Sequence, residues 1–291
     1  MDTKKRRRGD RRDGYLVRNA DPLHMFTPYL MPNRADNEAF INETIDLSAV
    51  LEYLGKKNAG KAGDKFTIFH IIAAAVAKTI VLRPRLNRFI KGHRIYDRSE
   101  LSLAFVVKKQ LSDSSEEALA FVTFDGDTTL DSLREAMTKE TEICRDDGHV
   151  DNSTKGMEFF SRFPRWLMRL IILFLRILDY YGRVPYSLVK TDPNYASVFI
   201  SNLGSIKLNA AYHHLNNWGT NSLFLVIGEK YPAPYNNEDG GAELRPSLNL
   251  GLTVDERISD GYYYSKSIRL MKHLLAHPEL LEPPAKEEVA L

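Results

Sequence analysis
Apolar and polar residues alternate most cleanly near the end of the chain. From Ser247 to Val254, Leu248, Leu250, Leu252 and Val254 fall on one side of the run, a period of two that predicts a strand. Ala39–Leu47 alternates in the same manner. So does Ser197–Asn202, where Val198 and Ile200 oppose Ser197, Phe199 and Ser201. Leu101–Lys108, Ala118–Phe124 and Leu223–Ile227 are short apolar runs of the kind that form buried strands. Lys91–Tyr96 predicts a turn and a short strand. Phe66–Leu82 is apolar almost all round, which predicts a helix buried on most faces and stopped by Pro84. Helices are also expected from Ser48, a plausible N-cap, to about Lys57, from Thr128 to about Arg145, and from Ser265 to Leu275. Asp21–Pro32 carries three prolines and predicts an extended segment over the core, and residues 231–246 read as a Pro/Asn/Gly loop.

The segment from Phe159 to Tyr181 follows a helical pattern of its own. Pro164 suits a helix N-terminus, and Arg165, Arg169, Arg176 and Arg183 recur at intervals of four or seven, on one face. Two readings stand. The helix of 164–183 packs on its own domain or across an oligomer interface with its arginines in water, or it lies on a membrane surface or an acidic partner. Its longest strongly apolar run, Leu170–Leu175, is too short to span a bilayer.

Composition narrows the class. With 43% hydrophobic and 27% charged residues the chain reads as an ordinary soluble globular protein, and a net charge of +2 gives no global field that implies nucleic acid or membrane. Basic residues concentrate only in Lys4–Arg12, so residues 1–20 read as a flexible basic tail, with an anchor for phosphate or anionic lipid as the alternative. Cys144 is the one cysteine, which excludes an intrachain disulfide and fits a reducing, cytoplasmic setting; no N-terminal apolar signal is visible. His70, alone on a buried helix, reads as a core or interface residue rather than a ligand. His213-His214 has no third ligand at metal-site spacing, so no metal is expected.

The chemistry concentrates in Val254–Tyr262, V-D-E-R-I-S-D-G-Y, a polar turn between the last strand and the last helix. Asp255-Glu256-Arg257-Ile258-Ser259-Asp260-Gly261 resembles the D-H-R-x-x-D-G segment of the dihydrolipoyl acyltransferases of 2-oxoacid dehydrogenase complexes, members of the chloramphenicol acetyltransferase-like superfamily. Glu256 stands in place of the histidine. Ser197–Ser205 resembles that family's segment ending I-S-N-L-G, and Pro84–Asn87 its P-x-L-N. Gln110–Glu117 departs from the family's Gly-Leu…Pro-Val turn, in a part of that fold that helps line the substrate channel. The resemblance runs from about residue 36 to 281, with no lipoyl or subunit-binding domain. It implies an α/β fold with a mixed β-sheet flanked by helices, in a single catalytic domain over 21–281 with a tail at 282–291. It also implies a homotrimer with sites between subunits and coenzyme A or acyl-coenzyme A as substrate.

Acyl transfer needs a base, an oxyanion donor and a group that holds the base in place. The resemblance assigns the oxyanion donor to Ser201, from the neighbouring subunit, with Asn202 and Gly204 beside the cofactor. It makes Asp260 a structural carboxylate paired with an arginine, for which Arg34 and Arg18 are candidates, and Arg257 and Gly261 the formers of the turn. A carboxylate is a weaker base toward a thiol than an imidazole unless burial strengthens it. Three readings follow: Glu256 is a working base, His213 or His214 replaces it, or the chain keeps the fold as a catalytically inactive binding or scaffold protein. Adjacent residues on a strand face opposite ways, so only one of the two, His214, would reach the site.

Overall fold
The computed structural model describes residues 5–108, 117–146, 162–189, 192–236 and 240–290. Most of the expected Gln110–Glu117 departure and the start of the Phe159–Tyr181 segment lie outside the described residues.

The core is a mixed seven-stranded sheet. Its strands are β2 (Glu38–Asp46), β5 (Leu101–Lys108), β6 (Glu117–Phe124), β7 (Val198–Asn202), β8 (Leu223–Ile227), β9 (Tyr231–Asn236) and β10 (Ala242–Asp255). They run in the order β2-β10-β8-β7-β5-β6, with β9 paired to the first half of β10. β7 is parallel to both β5 and β8, and the remaining pairs are antiparallel. A second sheet of β1 (Gly14–Leu16), β4 (Arg94–Arg98) and β3 (Arg88–Lys91) packs beside it. Gly92 and His93 turn β3 into β4, both at positive φ, as a tight hairpin requires.

Helices α2 (Ser48–Lys57), α3 (Ile68–Leu82), α4 (Leu130–Arg145) and α7 (Gly261–Ala276) bury their apolar faces in one core with the sheet. Helix α3 has ten buried residues in succession, Ile71 to Ile80, as its all-round apolarity predicts. Its His70 is half-buried on the first turn. The ring accepts from the Thr67 N–H at 3.2 Å while the Thr67 hydroxyl accepts from the His70 N–H, a reciprocal cap that satisfies two end groups. The other helices are α1 (Pro22–Leu30), α5 (Arg165–Tyr180) and the single turn α6 (Tyr186–Val189).

Four segments differ from expectation. Asp21–Pro32 is a helix: Asp21 caps it through the Leu23 N–H and Pro22 sits at the first position, where its missing N–H costs nothing. Residues 231–236 and 242–246 pair as β9 and the start of β10 rather than forming a loop; prolines 232 and 234 are tolerated because β9 is an edge strand. Residues 5–20 are not a free tail, since Gly14–Leu16 pairs with β4 and Arg11 is buried on Asp179. The segment after residue 281 also packs back. Ala285 is buried, and the N–H groups of Ala285 and Lys286 donate to Thr128 and Gly126.

Candidate active site
Strand β10 ends at Asp255, and a single 3₁₀ turn, Glu256–Ile258, leads to α7. The turn is held from within. Asp255 and Arg257 are both buried and form a two-pronged ion pair, Nε to Oδ1 at 2.8 Å and Nη2 to Oδ2 at 2.7 Å. Arg257 spends its remaining nitrogen on the carbonyls of Met31 and Pro32, at 2.9 and 3.1 Å, tying the turn to the end of α1. Arg34 lies 3.9 Å from the same carboxylate and donates to the carbonyls of Asn216, Ile90 and Gly219. Burial pulls its pKa down to about 10, against the opposing pull of Asp255. The Tyr264 hydroxyl donates to the Asp255 carbonyl at 2.8 Å, and burial of that phenol raises its pKa.

Residues 255, 257, 258 and 259 are buried, so Glu256 and Asp260 are the exposed members of the turn. Both line a groove of about 660 Å³ between α1, β2 and α7. Its walls are apolar at Leu23, Ile41 and Ile268, and cationic at Arg269 and Lys272, the latter paired with Glu43. Asp260 caps α7. It accepts from the Tyr263 N–H at 2.8 Å, which holds its carboxyl below the ordinary value, assisted by Arg85 and His24. Its nearest arginine is Arg85, at 3.8 Å and half exposed. The buried arginine-paired carboxylate is Asp255, and Arg34 is the arginine beside it. Arg18 instead pairs with Asp10. Gly261 needs no special backbone angle, and a side chain there would meet nothing within 4 Å, so glycine is not what shapes the turn.

Ser201 and Asn202 end β7, far from this groove. Ser201 lies opposite Val226 on β8, which lies opposite Gly251 on β10. Counting from Gly251 to Glu256 along β10 and across two strand spacings separates Ser201 from Glu256 by about 19 Å. One chain does not bring them together. Gly204 is a point of close approach, since a Cβ there would come within 2.5 Å of the Gly228 carbonyl.

His213 and His214 are not on a strand. They lie in a coil over the second face of the sheet, both exposed, where a Cβ on Gly251 would strike the Ala211 carbonyl. Off the strand, the rule that neighbours point apart fails: the two rings stack at 4.6 Å, and His213 stacks on Phe224 at 4.3 Å. Neither borders the groove of Glu256. The imidazole that does is His24, from α1. The proline-rich sequence around His24 conceals the helix, so no local signal points to it. Among the described residues no group of three or more His, Cys, Asp or Glu is arranged to hold a metal ion.

No family model and no curated protein matches the chain. Solved structures do. A probable dihydrolipoamide acetyltransferase from Listeria monocytogenes gives a TM-score of 0.57 at 14% identity, over 92% of each chain. The dihydrolipoamide acetyltransferase of Azotobacter vinelandii was solved to examine a serine, a histidine and an asparagine in its catalytic mechanism. It gives 0.56 at 15% identity, over 89% of this chain and 87% of that one. A truncated catalytic core of the 2-oxoacid dehydrogenase complex from Thermoplasma acidophilum gives 0.52 at 15% identity, over 90% and 98%. The chain therefore has the α/β fold of the dihydrolipoamide acetyltransferase catalytic domains, with the mixed sheet that the I-S-N-L-G and D-x-R-x-x-D-G segments imply.

Proposed function
We propose that the chain is a coenzyme A-dependent acyltransferase, moving an acyl group between the thioester and a thiol, hydroxyl or amine. The observation that carries this reading is the groove at the end of β10, where a turn locked by Asp255 and Arg257 leaves Glu256 facing a space lined by apolar and cationic groups. Leu23, Ile41 and Ile268 suit an acyl chain, and Arg269 and Lys272 suit the phosphates of coenzyme A. Glu256 takes the proton of the acceptor. His24 is a second proton acceptor in the same space. Ser201 of a neighbouring copy donates to the oxyanion. A site that contains both Ser201 and Glu256 needs more than one chain, which supports a homotrimer.

The test is thiol release from a panel of acyl-coenzyme A thioesters with dihydrolipoamide, amines and alcohols as acceptors. Wild type runs beside Glu256→Gln, Glu256→His and His24→Gln. Turnover that falls roughly 10²-fold or more in Glu256→Gln makes Glu256 the base. The same fall in His24→Gln alone transfers the role to His24. Silence in wild type with activity in Glu256→His describes a substrate channel that has lost its catalyst, and overturns the reading of a working enzyme.

A further inference from the structure
Helix α5 is attached to the rest of the molecule mainly at one end. Its one fully buried residue is Asp179, which pairs with Arg11 at 3.3 Å and with Lys91. Along the opposite side, Trp166, Leu170, Leu173, Phe174, Ile177 and Tyr181 recur at helical spacing and are 48–66% exposed. Arg165, Arg169 and Arg176 follow one edge of this stripe, all exposed, and no acidic side chain of the helix is exposed with them. Helix α1 adds a second apolar surface: Leu23, Phe26, Tyr29 and Leu30 are each 59–69% exposed. The two surfaces adjoin through a chain of rings, with Tyr29 stacked on His93 at 4.9 Å and His93 edge-on to Tyr180 at 6.2 Å. Because Arg11 is fixed on Asp179, the exposed Arg6, Arg7, Arg8 and Arg12 are held beside the end of α5.

We propose that this face docks on the surface of an anionic phospholipid bilayer. An apolar stripe ending in tryptophan and tyrosine, edged by arginine and unaccompanied by exposed acid, has the composition of a helix that lies in the membrane interface. The cationic edge and the neighbouring arginines match a negative headgroup layer. None of the described helices is long and apolar enough to cross the membrane, so the contact is with its surface. The chain's net charge is only +2, so this attraction comes from local placement rather than from a global field.

The full chain is mixed with vesicles of phosphatidylcholine alone or of phosphatidylcholine with phosphatidylglycerol, and bound protein is separated by flotation. Binding is expected to be at least roughly tenfold stronger to the anionic vesicles, and to weaken as added salt screens the charges. Trp166 emission shifts to the blue on binding, and Trp166→Phe loses that shift, since the other tryptophan is Trp218. Phe174→Ser with Ile177→Ser abolishes binding, and Arg165, Arg169 and Arg176 changed to Ser removes the anionic preference, both with an unchanged circular dichroism spectrum. Light scattering separates the competing occupant, a second copy of the chain. No binding to anionic vesicles, or a fall in oligomer mass in the Phe174→Ser/Ile177→Ser protein, overturns the proposal. Neither result depends on acyl transfer.

Discussion

Asp255 and Arg257 meet in a buried two-pronged ion pair that brackets Glu256, so the residue between them has no freedom to turn inward. Arg257 lies in the 3₁₀ turn past the end of β10, and its side chain folds back to reach Asp255 two residues earlier. The pair converts that placement into a lock, and the Met31 and Pro32 carbonyls extend it to α1.

Removing Arg257 leaves the buried Asp255 carboxylate with only the longer contact to Arg34, at 3.9 Å. Arg257→Met is expected to destabilise the fold by about 3–5 kcal/mol, measured by denaturant unfolding. Asp255→Asn combined with Arg257→Met should recover part of that loss. A cost near that of an exposed pair, with no coupling between the two positions, would show that the turn is held by other contacts.

Much of the frame was legible in local pattern. β7, β8, most of β10 and α3 follow from periodicity, because each buries a face whose residues are neighbours in sequence. The lock was half legible: the D-x-R spacing is visible, but the partner role of Asp255 rather than Asp260 depends on Arg34, far along the chain. The same holds for Arg11, whose partner Asp179 is 168 residues away; without that partner an arginine-rich start reads as a tail. Helix α1, and His24 with it, is hidden by prolines that fit its first position and its packing better than their local signal suggests.

The cap of α3 makes a pH prediction. Burial lowers the His70 pKa from 6.5 to about 4, so between these values the unfolded chain holds the extra proton. Stability contributed by the neutral ring is therefore present above about pH 6.5 and is lost as pH falls toward about 4. His70→Gln keeps an acceptor at this capping position and does not titrate. Its unfolding midpoint should fall less than that of wild type across this window, and parallel curves would contradict the assignment.

Two glycines should respond in opposite ways. A Cβ at Gly251 would lie 2.3 Å from the Ala211 carbonyl, so Gly251→Ala must displace the coil that carries His213 and His214, at a cost of about 1–3 kcal/mol. Gly261→Ala meets nothing and restricts the unfolded chain, so it should be neutral or stabilising by up to about 1 kcal/mol. Calorimetry on the two variants checks both.

Asp179 is the point at which α5 is held. Asp179→Asn should leave global unfolding cooperative while raising amide exchange within Arg165–Tyr180 ahead of the sheet. Exchange in α5 that stays as slow as in wild type would place its attachment elsewhere.

In the proposed acyltransferase, one active site draws Glu256 from one copy and Ser201 from another. Two variants, Ser201→Ala and Glu256→Gln, are each expected to be inactive in thiol release. Co-expressed and purified as mixed oligomers, they should regain a substantial fraction of wild-type turnover, because some sites then receive an intact residue from each chain. Mixed oligomers that stay as inactive as their parents, beside an active wild type, would contradict the shared site.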